Sequence, residues 1–211
     1  MRMLLIAISI LTACPLLAAQ QTSVPIPHGS EVIVIAPRVT IEMLVPSPAA
    51  KNAGELPYEP SLVNAATGQL SSKGYLPIQQ EKLMAADPAF KTPLDELWPL
   101  ESRLARGAIN DDGLKALGDI DKMAEGRLIL VQFMRITLGS GAEWGDSPTG
   151  TNAKGAMSSM LVQAALLSPS SRSVLWKNEI MERSVYRAGS DKYEKLLSRL
   201  YTTLNMQGVK K

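Results

Sequence analysis

Cysteine and histidine are nearly absent from this sequence. Its 211 residues include one cysteine, Cys14, and one histidine, His28. A single thiol in an N-terminal leader cannot form a disulfide within the domain that follows, and it cannot supply the thiolate ligands of a zinc site. A single histidine in a proline-bearing stretch gives a Ser/His/Asp or Cys/His relay no well-held base. The sequence therefore predicts a non-catalytic protein with no metal site and no cofactor.

The chain also lacks an excess of either charge, and it lacks any long apolar run beyond its first residues. Its 22 basic and 20 acidic residues leave a formal net charge of +2. Such a balance provides no broad field to attract phosphate backbones, so no nucleic-acid partner is predicted. The apolar runs at 128–131 and 160–167 are far shorter than the about 20 residues of a membrane-spanning helix. Hydrophobic residues still make up 45% of the chain, enough for one folded domain.

Residues 1–19 have the pattern of a secretory signal, with a positive charge at Arg2 followed by a short apolar run. Leu11-Thr12-Ala13-Cys14 resembles the lipobox of bacterial lipoproteins. This resemblance implies that Cys14 is acylated, becomes the first mature residue and anchors the protein to a membrane. Because Pro15 is not aspartate, the resemblance further implies the periplasmic face of the outer membrane. The alternative is cleavage after Ala19, which leaves a free periplasmic protein.

Patterns after the leader predict a linker at 20–30, one domain at 31–206 and a tail at 207–211. The first half of the domain is predicted to contain these elements in order: a buried strand at 31–36, an irregular excursion at 38–58, a helix from Pro60 to Gly74, a strand at 75–79, and helices opening at Thr92 and Asn110.

The second half changes to strand periodicity and ends in a helix. Long strands are predicted at 127–138, 156–167 and 172–186, forming an antiparallel meander, and a helix opens at Ser190. The predicted fold class is therefore α/β (α+β), with a mixed sheet of about five strands, a C-terminal antiparallel three-stranded meander and helices packed on the sheet.

This order of elements resembles the TolB amino-terminal-like envelope lipoproteins. The residues that carry the resemblance are the opening run Val32 to Pro37, the pair Gly74-Tyr75 after the first helix, and Ser173 to Trp176, which is similar to a "vLW" in a late strand of that group. The resemblance implies a shared fold for residues 31–206. It implies no single task, because members of the group differ in function, and no catalytic residue is carried over.

The segment at 139–155 is the most informative irregular stretch, because it is long and glycine-rich and contains a tryptophan. A phosphate-binding loop is not predicted, because Thr151 stands where that motif needs lysine. Trp144 has two interpretations, a rim residue packed on the sheet or an anchor inserted into a partner's pocket. The predicted partner-binding residues are Trp144, Asp146, Asn152 and Lys154.

Three functions remain open from the sequence. The first is an accessory or binding subunit of an envelope assembly, a lipoprotein that contacts another envelope protein through the 139–155 loop or the proline-rich 38–58 segment. The second is a soluble periplasmic binder of a small lipid or cell-wall ligand, which requires a concave pocket. The third is a serine hydrolase using Ser147 and Asp146, because Gly145-Asp146-Ser147 resembles the "GDS" of certain esterases. The oligomeric state is not predicted.

Overall fold

The structure is a computed structural model that describes residues 26–44, 56–87, 124–144 and 152–204. Nine strands and three helices lie within those ranges. In chain order they are β1 (Glu31–Val34), β2 (Arg38–Met43), α1 (Tyr58–Ser72), β3 (Leu76–Gln79), α2 (Gln80–Ala86), β4 (Leu128–Leu138), β5 (Ser140–Trp144), β6 (Asn152–Ala156), β7 (Ser159–Ser168), β8 (Ser173–Glu182), β9 (Val185–Tyr186) and α3 (Asp191–Tyr201).

The main sheet has six strands arranged around β4. Five of them lie in the order β3-β1-β4-β7-β8, and β2 also pairs with β4. Strands β1 and β3 are parallel to each other, and both β1 and β2 are parallel to β4, whereas β7 and β8 continue the sheet in antiparallel fashion. This arrangement confirms the predicted mixed α/β fold with its C-terminal antiparallel strands.

Strands β1 and β2 lie one after the other along the same edge of β4. The first pairs with the start of β4, at Leu128 to Leu130, and the second pairs with its later half, at Phe133 to Leu138. Between them the backbone N–H of Ala36 donates to Oε1 of Gln80 at 2.8 Å instead of to a strand. Pro37 follows, and it has no N–H to offer a ladder. The interruption between β1 and β2 therefore has a local cause, the side-chain hydrogen bond at Ala36 followed by a proline.

The prediction of an irregular excursion at 38–58 is wrong for its first six residues, which form β2. These residues alternate polar and apolar side chains, and Val39 and Ile41 pack against the main core. Alternation of this kind is the ordinary signature of a half-buried strand. The prediction of an irregular segment was based on Pro46, Pro48, Gly54 and Pro57, none of which lies within β2.

Helix α2 at Gln80–Ala86 was not predicted, whereas most other elements of the main sheet agree with the sequence patterns. The buried first strand, the helix ending before Gly74, and the strands near 75–79, 127–138 and 156–167 are confirmed. Gly74 has a positive φ of 80°, the left-handed conformation expected after a helix. The run at 172–186 is split into β8 and β9. The last helix is capped by Ser190, whose Oγ accepts from the N–H of Tyr193. The predicted helices from Thr92 and Asn110 lie outside the described residues.

Helices α1 and α3 cover one face of the main sheet and enclose most of the core. Tyr58 of α1 and Tyr193 of α3 meet edge to face, with ring centroids 5.7 Å apart. Trp176 of β8 stacks on Tyr201 of α3 at 5.8 Å, and its Nε1 donates to Thr203 Oγ1. Trp176 is therefore a core residue. A second, smaller cluster on the other face of the sheet includes residues of β1, β4 and β7, with Leu83 and Met84 of α2 packed against it.

One polar pair lies inside the main core. The hydroxyl of Tyr201 donates to Oε1 of Gln132 on β4 at 2.7 Å, and both side chains are fully buried. Burial raises the pKa of the Tyr201 hydroxyl far above its usual value, so the hydroxyl keeps its proton and remains a donor. Nε2 of Gln132 has no hydrogen-bond partner within the part of the chain that the structure describes. The pair therefore holds α3 on β4 and leaves one buried donor unsatisfied.

We expect Tyr201→Phe to lower the free energy of unfolding by about 1–3 kcal/mol, because it leaves the buried Oε1 of Gln132 without a donor. Adding Gln132→Leu removes both buried polar groups, so the double variant should recover most of the loss. Urea denaturation of the three proteins measures this. A double variant no more stable than Tyr201→Phe alone would show that the hydrogen bond is not the source of the loss.

Candidate functional site

Three of the four predicted partner-binding residues lie on one β-hairpin. Trp144 is the last residue of β5, and Asn152 and Lys154 belong to β6. In the register of the hairpin Trp144 is opposite Ala153, and Lys154 is opposite Glu143. The hairpin therefore brings positions 144, 152 and 154 together. Asp146 and Cys14 lie outside the described residues.

The interpretation of 139–155 as an irregular loop is wrong at both of its ends, which are the strands β5 and β6. They form a second sheet of three strands in the order β5-β6-β9, in which Asn152 pairs with Tyr186 and Ala153 with Val185. Glycine and small residues have low strand propensity, so the segment carries little strand signal of its own. The pairing of β6 with β9 joins positions far apart in the chain, and local patterns do not reveal such a contact.

The base of this hairpin is fixed to the main domain by three contacts. Val185 of β9 is fully buried in the main core. The carbonyl oxygen of Tyr186 accepts a hydrogen bond from the Tyr58 hydroxyl of α1 at 2.8 Å. Where the chain leaves β4, the N–H of Gly139 donates to the buried Ser158 Oγ at 3.1 Å. The hairpin therefore extends from a rigid base, the arrangement in which binding segments hold their shape.

Three exposed apolar residues lie at the carboxyl end of β4, beside this base. Met43 is 59% exposed, Leu44 is 52% exposed and Met157 is 78% exposed. Met43 pairs with Leu138, and the N–H of Leu44 donates to the Leu138 carbonyl at 3.0 Å. Met157 directly precedes Ser158 and β7, on the other side of β4. Strand spacing places β2 and β7 roughly 10 Å apart. We call Met43, Leu44 and Met157 the end patch.

Met157 also has an unusual backbone. Its φ is 65°, in the left-handed region that glycine adopts freely and other residues adopt at a cost. The same residue exposes most of an apolar side chain to solvent. The left-handed backbone and the exposed apolar side chain at this one position make Met157 a candidate functional residue.

A separate cleft lies at the carboxyl ends of the parallel strands β1 and β3. Its volume is about 210 Å³, and it is bounded by the first turns of α1 and by the start of α2. We call it the strand-end cleft. Its lining residues are Val34, Ala36, Pro37, Glu59, Pro60, Val63, Asn64, Gln79, Gln80 and Glu81. In open α/β sheets the crevice at the carboxyl ends of parallel strands is the usual ligand position.

This cleft is smaller than most small-molecule sites, which measure about 300–1,000 Å³. It combines an apolar floor at Val34 and Pro37 with carboxamides and two carboxylates. No sequence pattern indicated it, because residues far apart in the chain, such as Val34 and Gln80, form it together. Within the described ranges no group of three or more His, Cys, Asp or Glu residues is placed to hold a metal ion. None of the described helices is long and apolar enough to cross a membrane.

The fold and these surfaces define a mixed α/β protein with a hairpin sheet on a rigid base. Among solved structures the chain is similar to a dodecamer of a PelC point variant from Paraburkholderia phytofirmans, with 12% identity and a TM-score of 0.40 over 88% of this chain and 95% of that chain. Lipoprotein GNA1162 from Neisseria meningitidis is 11% identical, with a TM-score of 0.31 over 83% of this chain and 94% of that chain. At these values the likeness carries no argument about function.

A third similar structure, from Helicobacter pylori, is described as a neuraminyllactose-binding hemagglutinin homologue. It is 17% identical, with a TM-score of 0.37 over 86% of this chain and 81% of that chain. No protein-family model and no curated protein matches the chain. Any inference about function therefore rests on the residues themselves.

We expect Met157→Gly to raise the free energy of unfolding by up to about 1 kcal/mol, because glycine adopts the left-handed backbone without the steric penalty of a side chain. Met181, which is 65% exposed within β8, provides a matched control. Met181→Gly should instead lower stability by about 0.5–1 kcal/mol, since glycine weakens a regular strand. Thermal and urea unfolding measure both. Destabilisation by Met157→Gly would show that the conformation is not strained.

Proposed function

We propose that this chain is a non-catalytic lipoprotein of the bacterial envelope, anchored through Cys14, and that it binds another envelope protein through the β5–β6 hairpin and the end patch. Met157 is the observation that carries the proposal. It lies at the junction of hairpin and main sheet, is mostly exposed and holds a left-handed backbone. A partner that covers Met157 would remove its apolar side chain from water, which favours binding.

The free energy that burial of the end patch would contribute favours a binding role for these residues. Burying a methionine or leucine side chain contributes roughly 1.5–3 kcal/mol, and the end patch offers three such side chains on the two sides of the carboxyl end of β4. Methionine is unbranched and polarisable, so it adapts to an irregular partner surface. Singly scattered apolar residues need no explanation, whereas adjacent ones at a rigid element indicate an interface.

The hairpin sequence contains polar residues next to the end patch. Its register places Lys154 opposite Glu143 and Asn152 opposite Tyr186 of β9. Protein interfaces combine an apolar centre with a polar rim, and tryptophan is enriched among the residues that dominate binding. The proposed binding residues are therefore Trp144, Asp146, Asn152 and Lys154, together with the end patch.

We further propose that the chain belongs to the TolB amino-terminal-like group. Its proposed parts are a leader at 1–19, a linker at 20–30 and one domain at 31–206. Its support is the order of a buried strand, a helix, a second parallel strand, antiparallel strands and a final helix. The interruption between β1 and β2 and the β5–β6 hairpin add features that the sequence resemblance does not include. The proposed location is the periplasmic face of the outer membrane, with release into the periplasm as the alternative.

Labelling with a palmitate analogue tests the anchor. We expect the native protein to take up label and to fractionate with membranes, because acylation at Cys14 gives it a hydrophobic tether. Cys14→Ala should lose both label and membrane association. An unlabelled native protein whose mature chain begins at Gln20 would contradict the anchor and leave a freely diffusing protein.

Cross-linking followed by affinity capture from cell envelopes tests the binding surface. We expect Met43→Ser with Met157→Ser to reduce the captured partner about tenfold or more, since the loss of two buried apolar side chains costs several kcal/mol. Replacing 141–152 by a short turn should abolish capture. Met181→Ser is the matched control, because Met181 is similarly exposed but lies away from the end patch on β8.

Equal capture by the Met43/Met157 double variant and by Met181→Ser would contradict the end patch as the binding surface. Circular dichroism of each variant confirms that the fold is retained, so a loss of capture can be assigned to the surface.

A further inference from the structure

We propose that strand β8 is the interface of a symmetric homodimer, in which the β8 strands of two copies pair in antiparallel fashion with Asn178 at the centre. This surface is separate from the hairpin and the end patch, and the proposal requires neither a lipid anchor nor a second envelope protein. It rests on the open edge of the main sheet, on a backbone donor at that edge and on the order of charges along β8.

Strand β8 is a long edge of the main sheet. Its ten residues pair with β7, and no other strand pairs with β8 in the described part of the chain. Every second residue of such a strand turns its N–H and C=O groups away from the sheet, where another chain can pair with them. The strand at the other end of the sheet order, β3, has four residues and includes Pro77, which has no N–H to donate. Strand addition is therefore favoured at β8.

One hydrogen bond shows which residues of β8 face outward. The N–H of Glu179 donates to Oδ1 of the neighbouring Asn178 at 2.9 Å, and Nδ2 of Asn178 donates to the Leu200 carbonyl on α3 at 2.7 Å. An N–H that bonds to a side chain of its own strand is not used in the ladder with β7. The backbone groups of Glu179, and by alternation those of Lys177, therefore point outward. The Asn178 oxygen accepts the hydrogen bond that a carbonyl of an added strand would accept.

The side chains of β8 alternate between two surroundings. Asn178 and Ile180 lie on the α3 side of the sheet, where Asn178 bonds to α3 and Ile180 packs against the main core. Lys177 and Glu179 lie on the other side and are exposed. There Oε2 of Glu179 accepts from Nε2 of Gln163 on β7 at 2.6 Å, which holds the carboxylate on this face. A carboxylate has a second oxygen, so Glu179 can still accept from a cation of another chain.

Symmetry limits how two β8 edges can pair. Antiparallel neighbours in one sheet are related by a twofold axis perpendicular to that sheet, so the same face of each copy lies on the same side. Side chains directly opposite each other share a face, and side chains alternate between faces along a strand. The axis must therefore pass through a residue of β8 and not between two residues.

The order of charges selects Asn178 as that residue. With Asn178 opposite itself, Lys177 of each copy lies opposite Glu179 of the other copy, and two ion pairs result. An axis at Lys177 would place two lysines opposite each other, and an axis at Glu179 would do the same with two glutamates. Both of these arrangements are unfavourable. The Asn178 register also places Trp176 opposite Ile180 of the other copy, and aromatic and β-branched residues form favourable cross-strand pairs.

Sedimentation equilibrium of the protein as purified from cells tests the dimer and its register. A single strand pair buries less than the about 1,200 Å² of a stable complex, so we expect a dissociation constant of about 10 μM to 1 mM. Lys177→Glu and Glu179→Lys should each weaken the dimer about tenfold, because each converts two ion pairs into two like-charge pairs. Lys82→Glu, at an exposed position of α2, is the matched control and should leave the dimer unchanged.

Mixing the two single variants provides the sharper test. In a dimer of one Lys177→Glu copy with one Glu179→Lys copy, both pairs again join opposite charges, so the mixture should associate about as tightly as the native protein. The double variant should associate equally well with itself. Recovery of this kind also shows that neither substitution acts by unfolding the chain.

Disulfide trapping locates the axis independently. Asn178→Cys in a Cys14→Ala background has a single thiol. In the proposed dimer position 178 faces itself, with Cβ atoms about 4.5–5.5 Å apart, so mild oxidation should yield a covalent dimer. Ser72→Cys in the same background is the control, because Ser72 is exposed at the end of α1 and lies away from β8. It should remain monomeric.

Four outcomes would overturn the proposal. They are a monomer up to about 1 mM, equal dissociation constants for Lys177→Glu and Lys82→Glu, no recovery in the mixture of single variants, or no covalent dimer from Asn178→Cys. A monomer would identify the charges of β8 as protection of an edge strand against aggregation. Self-association is measured without an envelope partner, so this proposal and the proposed partner binding fail separately.

Discussion

Hydrogen bonding along both edges of β4 is the constraint on which the rest of the structure depends. One edge accepts β1 and then β2, while the other pairs with β7 over nine consecutive positions, from Ile129 to Thr137. Its side chains enter the core on both faces of the sheet. A strand buried on both faces is mostly apolar, and the buried polar side chain of β4, Gln132, is tied to α3 through Tyr201.

The direction of β4 also separates the two surfaces with functional promise. Its carboxyl end runs through Gly139 into the β5–β6 hairpin, where Ser158 and the β9 pairing fix the base. The strand-end cleft lies at the carboxyl end of β1, where pairing with β4 is interrupted at Ala36 and Pro37. Both surfaces result from irregularities in pairing with β4: the gap between β1 and β2 and the hairpin inserted between β4 and β7.

Sequence patterns predicted the parts of this fold whose stability is local or strongly periodic. The β-branched run from Val32, the helix ending before Gly74 and the apolar stripe of α3 are examples. Strand β2 was missed although its alternation from Arg38 to Met43 is regular, because the prolines that follow dominated the interpretation. The β5–β6 pairing depends on contacts with β9, and the left-handed backbone of Met157 has no sequence signature. The cleft joins α1 to Gln80, so no single segment contains it.

The central claim is that the surface around Met157 contacts an envelope protein, and site-specific photo-cross-linking in intact cells tests it most directly. A photoreactive residue at position 157 should yield one defined protein adduct. The same photoreactive residue in place of Ser72, an exposed position at the C-terminal end of α1, should yield none. The same pattern of adducts from both positions, or no adduct from 157, would contradict the account.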